Sequence, residues 1–124
     1  MQYGIEYLCP MPRSTRSEIP PGTLEMLILR TLTRQDEMHG FEIAESILQT
    51  SEEVLQVEEG SLYPALQRLL AGGFVKAEWG KTDENRRARY YRLTAAGRKQ
   101  LQHELERYQR VSLAIARVLA PEGA

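Results

Sequence analysis

The sequence predicts a mainly α-helical domain that carries a small β-hairpin wing and ends in a long C-terminal helix. Three observations predict it. A short amphipathic segment, Glu59 to Leu70 (EGSLYPALQRLL), puts Leu62, Leu66, Leu69 and Leu70 on one stripe at helical period. Two β-favouring runs follow it, Phe74–Trp79 (FVKAEW) and Arg89–Leu93 (RYYRL), separated by a polar turn at Gly80–Asn85. From Thr94 to Ala120 the chain then keeps one helical pattern, its apolar positions spaced alternately by four and three.

Residues 1–19 form an N-terminal arm without a clean period. Pro10, Pro12, Ser14, Thr15 and Ser17 favour extended chain, and the arm is read as a tail, with Arg13 and Arg16 available as a basic extension. Met11 offers an alternative start that would leave residues 1–10 without a role. The main domain spans residues 20–94. Pro20-Pro21-Gly22-Thr23 marks a helix start with Thr23 as cap, and Leu24, Leu27, Ile28 and Leu32 make its stripe while Met26 and Leu29 add apolar surface on another side. His39-Gly40 opens a second helix with Ile43, Ala44, Ile47 and Leu48 at helical spacing. A turn or capping role for His39 outweighs a titrating one, because no second ligand lies nearby. Leu55 and Val57 alternate as a short strand does.

The Glu59–Leu70 helix is expected to begin near Gly60 or Ser61, with Ser61 as N-cap and Pro64 in the first turn, where its missing N–H has no intrahelical partner. Ala71-Gly72-Gly73 supplies a glycine stop. Its outer face, with Ser61, Tyr63, Gln67 and Arg68, suits a DNA major groove, where such groups reach phosphates or base edges. The hairpin carries Lys81, Arg86, Arg87 and Arg89 at its tip and return strand, placed to meet the phosphates or minor groove of the same duplex. Residues 95–120 are read as a dimerisation helix and 121–124 as a tail. Leu101, Leu105, Tyr108, Ile115 and Leu119 form a seam that only Ser112 interrupts, and Val111 and Val118 widen it. With help from Leu24 and Leu27, this seam is expected to hold the dimer interface or its supporting core. A domain this small cannot cover such a helix alone.

Net charge is −1, which by itself does not mark a nucleic-acid binder, but its distribution is polar. Asp36 to Glu59 holds eight acidic residues and no Lys or Arg; Lys81 to Lys99 holds seven basic residues against Asp83 and Glu84. The positive end thus follows the candidate reading helix. The single cysteine, Cys9, excludes an internal disulfide and suits a reducing cytoplasm. No run is long enough for a membrane span. No metal or cofactor is expected. His103-Glu104 begins like a zinc-protease motif, but Arg107 stands where the second histidine belongs, and no phosphate loop or nucleophile elbow is present, so an enzyme is not expected. The rival reading is a winged module that binds protein or a small ligand with weak DNA affinity.

GTLEMLIL (Gly22–Leu29), HGFEIAESI (His39–Ile47), EGSLYPALQRL (Glu59–Leu69) and RRARYYRLTAAGRKQL (Arg86–Leu101) together resemble the PadR family of bacterial transcriptional regulators, in its short form with one C-terminal helix. The resemblance covers about Pro21 to Leu119. It implies a winged helix-turn-helix homodimer in the cytoplasm that represses transcription from an inverted repeat in double-stranded DNA. It assigns reading-helix positions to Gly60, Ser61, Tyr63, Pro64, Gln67 and Arg68, and wing contacts to the tip around Arg86, Arg87 and Arg89. Two positions depart from it: Glu58 and Glu59 stand where many relatives have glutamine, and Gln67 where many have histidine. Some relatives bind flat aromatic effectors at the dimer interface; here the long helix offers Tyr108 to such a ligand but no tryptophan, and Trp79 lies in the wing.

Overall fold

The computed structural model describes residues 17–20 and 22–122. Their element order is β1 (Ser17–Glu18), α1 (Leu24–Thr31), β2 (Met38–His39), α2 (Gly40–Thr50), β3 (Leu55–Gln56), α3 (Glu59–Ala71), β4 (Val75–Lys81), β5 (Arg87–Leu93) and α4 (Ala95–Leu119). Helices α1, α2 and α3 enclose one core of Ile28, Leu29, Ile43, Leu62, Leu66 and Leu69, closed by Val75 and Tyr91 from the hairpin and Leu101 from α4. The fold is thus mainly helical, with α2 and α3 as the helix-turn-helix and β4–β5 as the wing.

Apolar pattern decided each helix, with some differences of face and start. In α1, Met26, Ile28 and Leu29 are buried, as is Leu32 at its C-cap, whereas Leu24 and Leu27 are half-buried. The core therefore takes the side carrying Met26 and Leu29, and the Leu24–Leu27 edge is left partly open. Thr23 occupies the N-cap position, but its hydroxyl donates back to the Pro20 carbonyl (2.7 Å) instead of capping the helix. His39 caps α2: its Nδ1 accepts from the Glu42 N–H (3.4 Å) while the Glu42 carboxylate accepts from the His39 N–H (3.0 Å).

Helix α3 starts earlier than the proline suggested. Its N-cap is Glu58, without a side-chain cap bond, so Ser61 lies inside the helix and Pro64 in its second turn. The carbonyl of Gly60 consequently lacks the bond a non-proline residue would supply. At the other end the glycine stop is a full Schellman motif. Gly73 takes φ +77°, its N–H donates to the Leu70 carbonyl (3.1 Å), and the Phe74 N–H to the Leu69 carbonyl (3.0 Å).

The wing pairs antiparallel over its whole length, Val75 with Leu93 through Lys81 with Arg87, so both strands extend further towards the tip than their β-rich runs. Thr82 closes the tip: its N–H donates to the Arg86 carbonyl (2.8 Å), and its hydroxyl accepts from the Arg86 N–H (3.2 Å). Asn85 takes the left-handed conformation there (φ 63°). β2 joins the other edge of β5, giving the sheet order β2-β5-β4. β1 runs parallel to β3, with Ser17 opposite Leu55, so this end of the N-terminal arm is tied down. Arg13, Arg16 and the rest of the arm lie outside the described residues.

Thr94 caps α4 and joins it to the end of α3. Its hydroxyl accepts from the Gly97 N–H (3.0 Å) and donates to the Gly73 carbonyl (2.7 Å). Its N–H donates to the Phe74 carbonyl (3.2 Å). The first turns of α4 pack on α1, and Leu101 is buried in its own domain, so of the two roles its spacing allowed, interface or supporting core, it takes the core. Beyond Leu105 the helix leaves the domain, and Tyr108, Val111, Leu113, Ile115, Val118 and Leu119 are all exposed. Among the described residues no helix is long and apolar enough to cross a membrane.

Candidate nucleic-acid interface

The exposed arc of α3 is set by the side it buries. Leu62, Ala65, Leu66 and Leu69 face the core, which leaves Gly60, Ser61, Tyr63, Pro64, Gln67 and Arg68 in solvent, as the helical period predicts. The arc has two edges. Tyr63 and Gln67 lie towards the wing, whereas Ser61, Pro64 and Arg68 border a smaller hollow with Leu24, Val57 and Glu58. Arg68 is drawn to that second edge by Glu25, whose carboxylate accepts from its Nε at 3.0 Å.

The wing's contribution follows from register. Ala77 pairs with Tyr91, Trp79 with Arg89, and Lys81 with Arg87, and paired residues share a face. The sheet face that enters the core through Val75 and Tyr91 therefore continues outward as Trp79, Arg89, Arg87 and Lys81. Between this face and α3 lies an open groove of about 1110 Å³, whose lining includes Tyr63, Gln67, Trp79, Arg86, Arg87 and Arg89. Its third wall is the start of α2, with His39, Phe41 and Glu42. Gly40 lets that wall close up: a Cβ there would lie 2.8 Å from the Tyr63 hydroxyl.

The groove is a cationic, aromatic hollow with some acid at its rim, Asp83 and Glu84 at the wing tip and Glu42 on α2. Among the described residues neither Arg86, Arg87 nor Arg89 makes an ion pair, whereas Arg68 and Arg92, away from it, pair with Glu25 and Glu37. The buried Nε of Arg89 has no hydrogen-bond partner. Burial raises the Tyr91 phenol above its ordinary pKa, the nearby Arg89 guanidinium opposing it. Among the described residues no group of His, Cys, Asp and Glu could hold a metal.

The structure thus brings Tyr63 and Gln67 together with Arg86, Arg87 and Arg89, and sets Ser61, Pro64 and Arg68 apart. Sequence reasoning missed the α2 wall and Trp79. The alternation around Trp79 carried the signal, but only the pairing of Trp79 with Arg89 tells which face it takes.

The family model of the transcriptional regulator PadR-like family matches residues 28–103. This chain belongs to the PadR-like family. Its match runs from the second half of α1 through α2, α3 and the wing to the first turns of α4. The PadR-like chain is 30% identical over 96 residues to an uncharacterized protein of Lysinibacillus sphaericus, covering 77% of this chain and 87% of that one. Its fold is similar to that of a transcriptional regulator from Clostridium thermocellum, with TM-score 0.73 and 27% identity over 80% of this chain and 95% of the other. It also matches a PadR-like transcriptional regulator from Bacillus cereus, with TM-score 0.67 and 26% identity over 82% and 95% of the two chains. As a PadR-like protein it is a DNA-binding regulator of transcription and not an enzyme.

Proposed function

We propose that the protein is a sequence-specific repressor that binds an inverted-repeat promoter site as a homodimer. The observation that carries this reading is the shared groove: Tyr63 and Gln67 of α3 face the unpaired arginines of the wing across one hollow. In this reading α3 enters the major groove, where Gln67 reads base edges and Gly60, Ser61, Tyr63, Pro64 and Arg68 approach the strand at either side. Lys81, Arg86, Arg87 and Arg89 meet phosphates beside the adjacent minor groove. The exposed seam of α4, Tyr108, Val111, Ile115 and Leu119, with Leu105, Leu24 and Leu27 near its base, is the surface a second copy covers. Such a dimer sets its two reading helices roughly 34 Å apart, one turn of DNA. Tyr108 is the seam group available to a flat aromatic effector.

The test is titration into the protein's own promoter DNA at two salt concentrations, against a scrambled duplex. Promoter preference that weakens with salt supports the reading; equal weak binding to every duplex, insensitive to salt, counts against it. Arg86→Ala combined with Arg87→Ala is expected to weaken all duplexes and lower the logarithmic salt slope by about 2. Gln67→Ala is expected to alter sequence preference instead.

A further inference from the structure

The Trp79 ring is 60% exposed, an unusual position for the chain's single tryptophan. Its place in the hairpin explains what it touches. Arg89 stands directly opposite in the register and Arg87 diagonally, all on the groove face. The Arg87 guanidinium carbon lies 4.2 Å from the ring centroid, and that of Arg89 at 5.9 Å. Two like charges two residues apart on one strand repel. A ring whose negative faces attract both offsets that repulsion and limits the directions the arginines can take. Neither guanidinium is held by a carboxylate among the described residues.

We propose that Trp79 is a positioning residue for DNA binding, holding Arg87 and Arg89 as a preformed pair towards one sugar–phosphate strand that lies in the groove between α3 and the wing. This rests on the DNA-binding reading above. A strand must cross that gap wherever a helix occupies the major groove and the wing the adjacent minor groove. Trp79, Arg87 and Arg89 all line that gap, opposite Tyr63 and Gln67 of α3, and a guanidinium not held by a carboxylate is free to take a phosphate. Arranging the arginines beforehand removes the side-chain ordering that binding would otherwise require.

The test uses the full chain and a mixed-sequence duplex about three helical turns long, over a range of salt. Trp79→Ala is expected to weaken binding about threefold to tenfold, the range of a cation–π contact. Trp79→Phe, which keeps a π face, retains most of the affinity, and Trp79→Leu, apolar without one, behaves as alanine does. Adding Trp79→Ala to the Arg87→Ala, Arg89→Ala double variant causes no further loss, because the ring acts through the arginines. Thermal melting confirms that each variant is folded. An unchanged affinity in Trp79→Ala, or a full additional loss on the arginine-free background, overturns the positioning role; the latter means the ring touches DNA itself. If the arginine variant binds as well as the parent, the DNA reading of the wing fails instead, so the two failures are distinct.

Discussion

Gly97 leaves no room for a side chain. A Cβ there would stand 2.1 Å from the Phe74 carbonyl oxygen and 2.7 Å from Leu93, and a backbone oxygen already held by the Thr94 N–H cannot swing aside freely. Gly97→Ala, which an isolated helix would welcome, is therefore expected to destabilise the fold by about 2 kcal/mol or more, read from the urea midpoint. Tyr91 gives a second test. Its phenol is buried and its pKa lies above the ordinary value of about 10. A raised pKa in the folded state means the stability is fully present below the unfolded value and is lost as pH rises through the folded one. Denaturation from neutral to strongly alkaline pH should thus show a decline beginning above about pH 10, and Tyr91→Phe should reduce it. An identical decline in both proteins would place the alkaline sensitivity elsewhere.

At the scale of elements, α4 divides in two. As far as Leu101 it completes the domain, and beyond Leu105 it exposes an apolar seam, with Ile115 at 53% and Leu119 at 76%. Ile115→Lys touches none of the core, so it should leave the melting of the winged domain nearly unchanged while shifting sedimentation from dimer to monomer; a dimer that survives it would move the interface off this seam. Helical stripes made most of this legible beforehand. The buried positions of α3 follow from leucine spacing alone, and Thr94 and His39 cap as their residue types suggest. The start of α3 was less legible. Pro64 is most at home in a first turn, yet the Glu58 carbonyl accepts from the Leu62 N–H (2.9 Å) and sets a full turn before it. In α1 both sides are apolar, so period could not decide between the Leu24–Leu27 edge and the Met26–Leu29 edge; contacts with α3 and α4 decided it.

For the whole molecule, the charge pattern gains meaning only in three dimensions. The acidic run ends at Glu59, and Glu58 and Glu59 are exposed at the start of α3, Glu58 bordering the smaller hollow, while the unpaired cations gather on the wing at the other edge of the helix. A duplex approaching α3 therefore meets attraction on its wing side and repulsion at the helix start, which favours approach from the wing side. The α2 wall of the groove is hidden from a linear reading, because the three walls come from residues near 40, 65 and 80–90 and are brought together by the pairing of β2 with β5, the packing of α3 on β4 and the closeness of Gly40 to Tyr63.

The joint at Thr94 has a mechanical side. The hydroxyl and N–H of Thr94 grip the carbonyls of Gly73 and Phe74 just past the end of α3, and Gly97 presses against the same backbone. The connection between α3 and α4 is thus made by short main-chain contacts with almost no slack. A helix of 25 residues pinned in this way is a lever roughly 37 Å long. Where a second copy grips its far end, the crossing angle of the two levers sets the span between the two reading heads, and a few degrees at the grip become a few ångströms at the DNA.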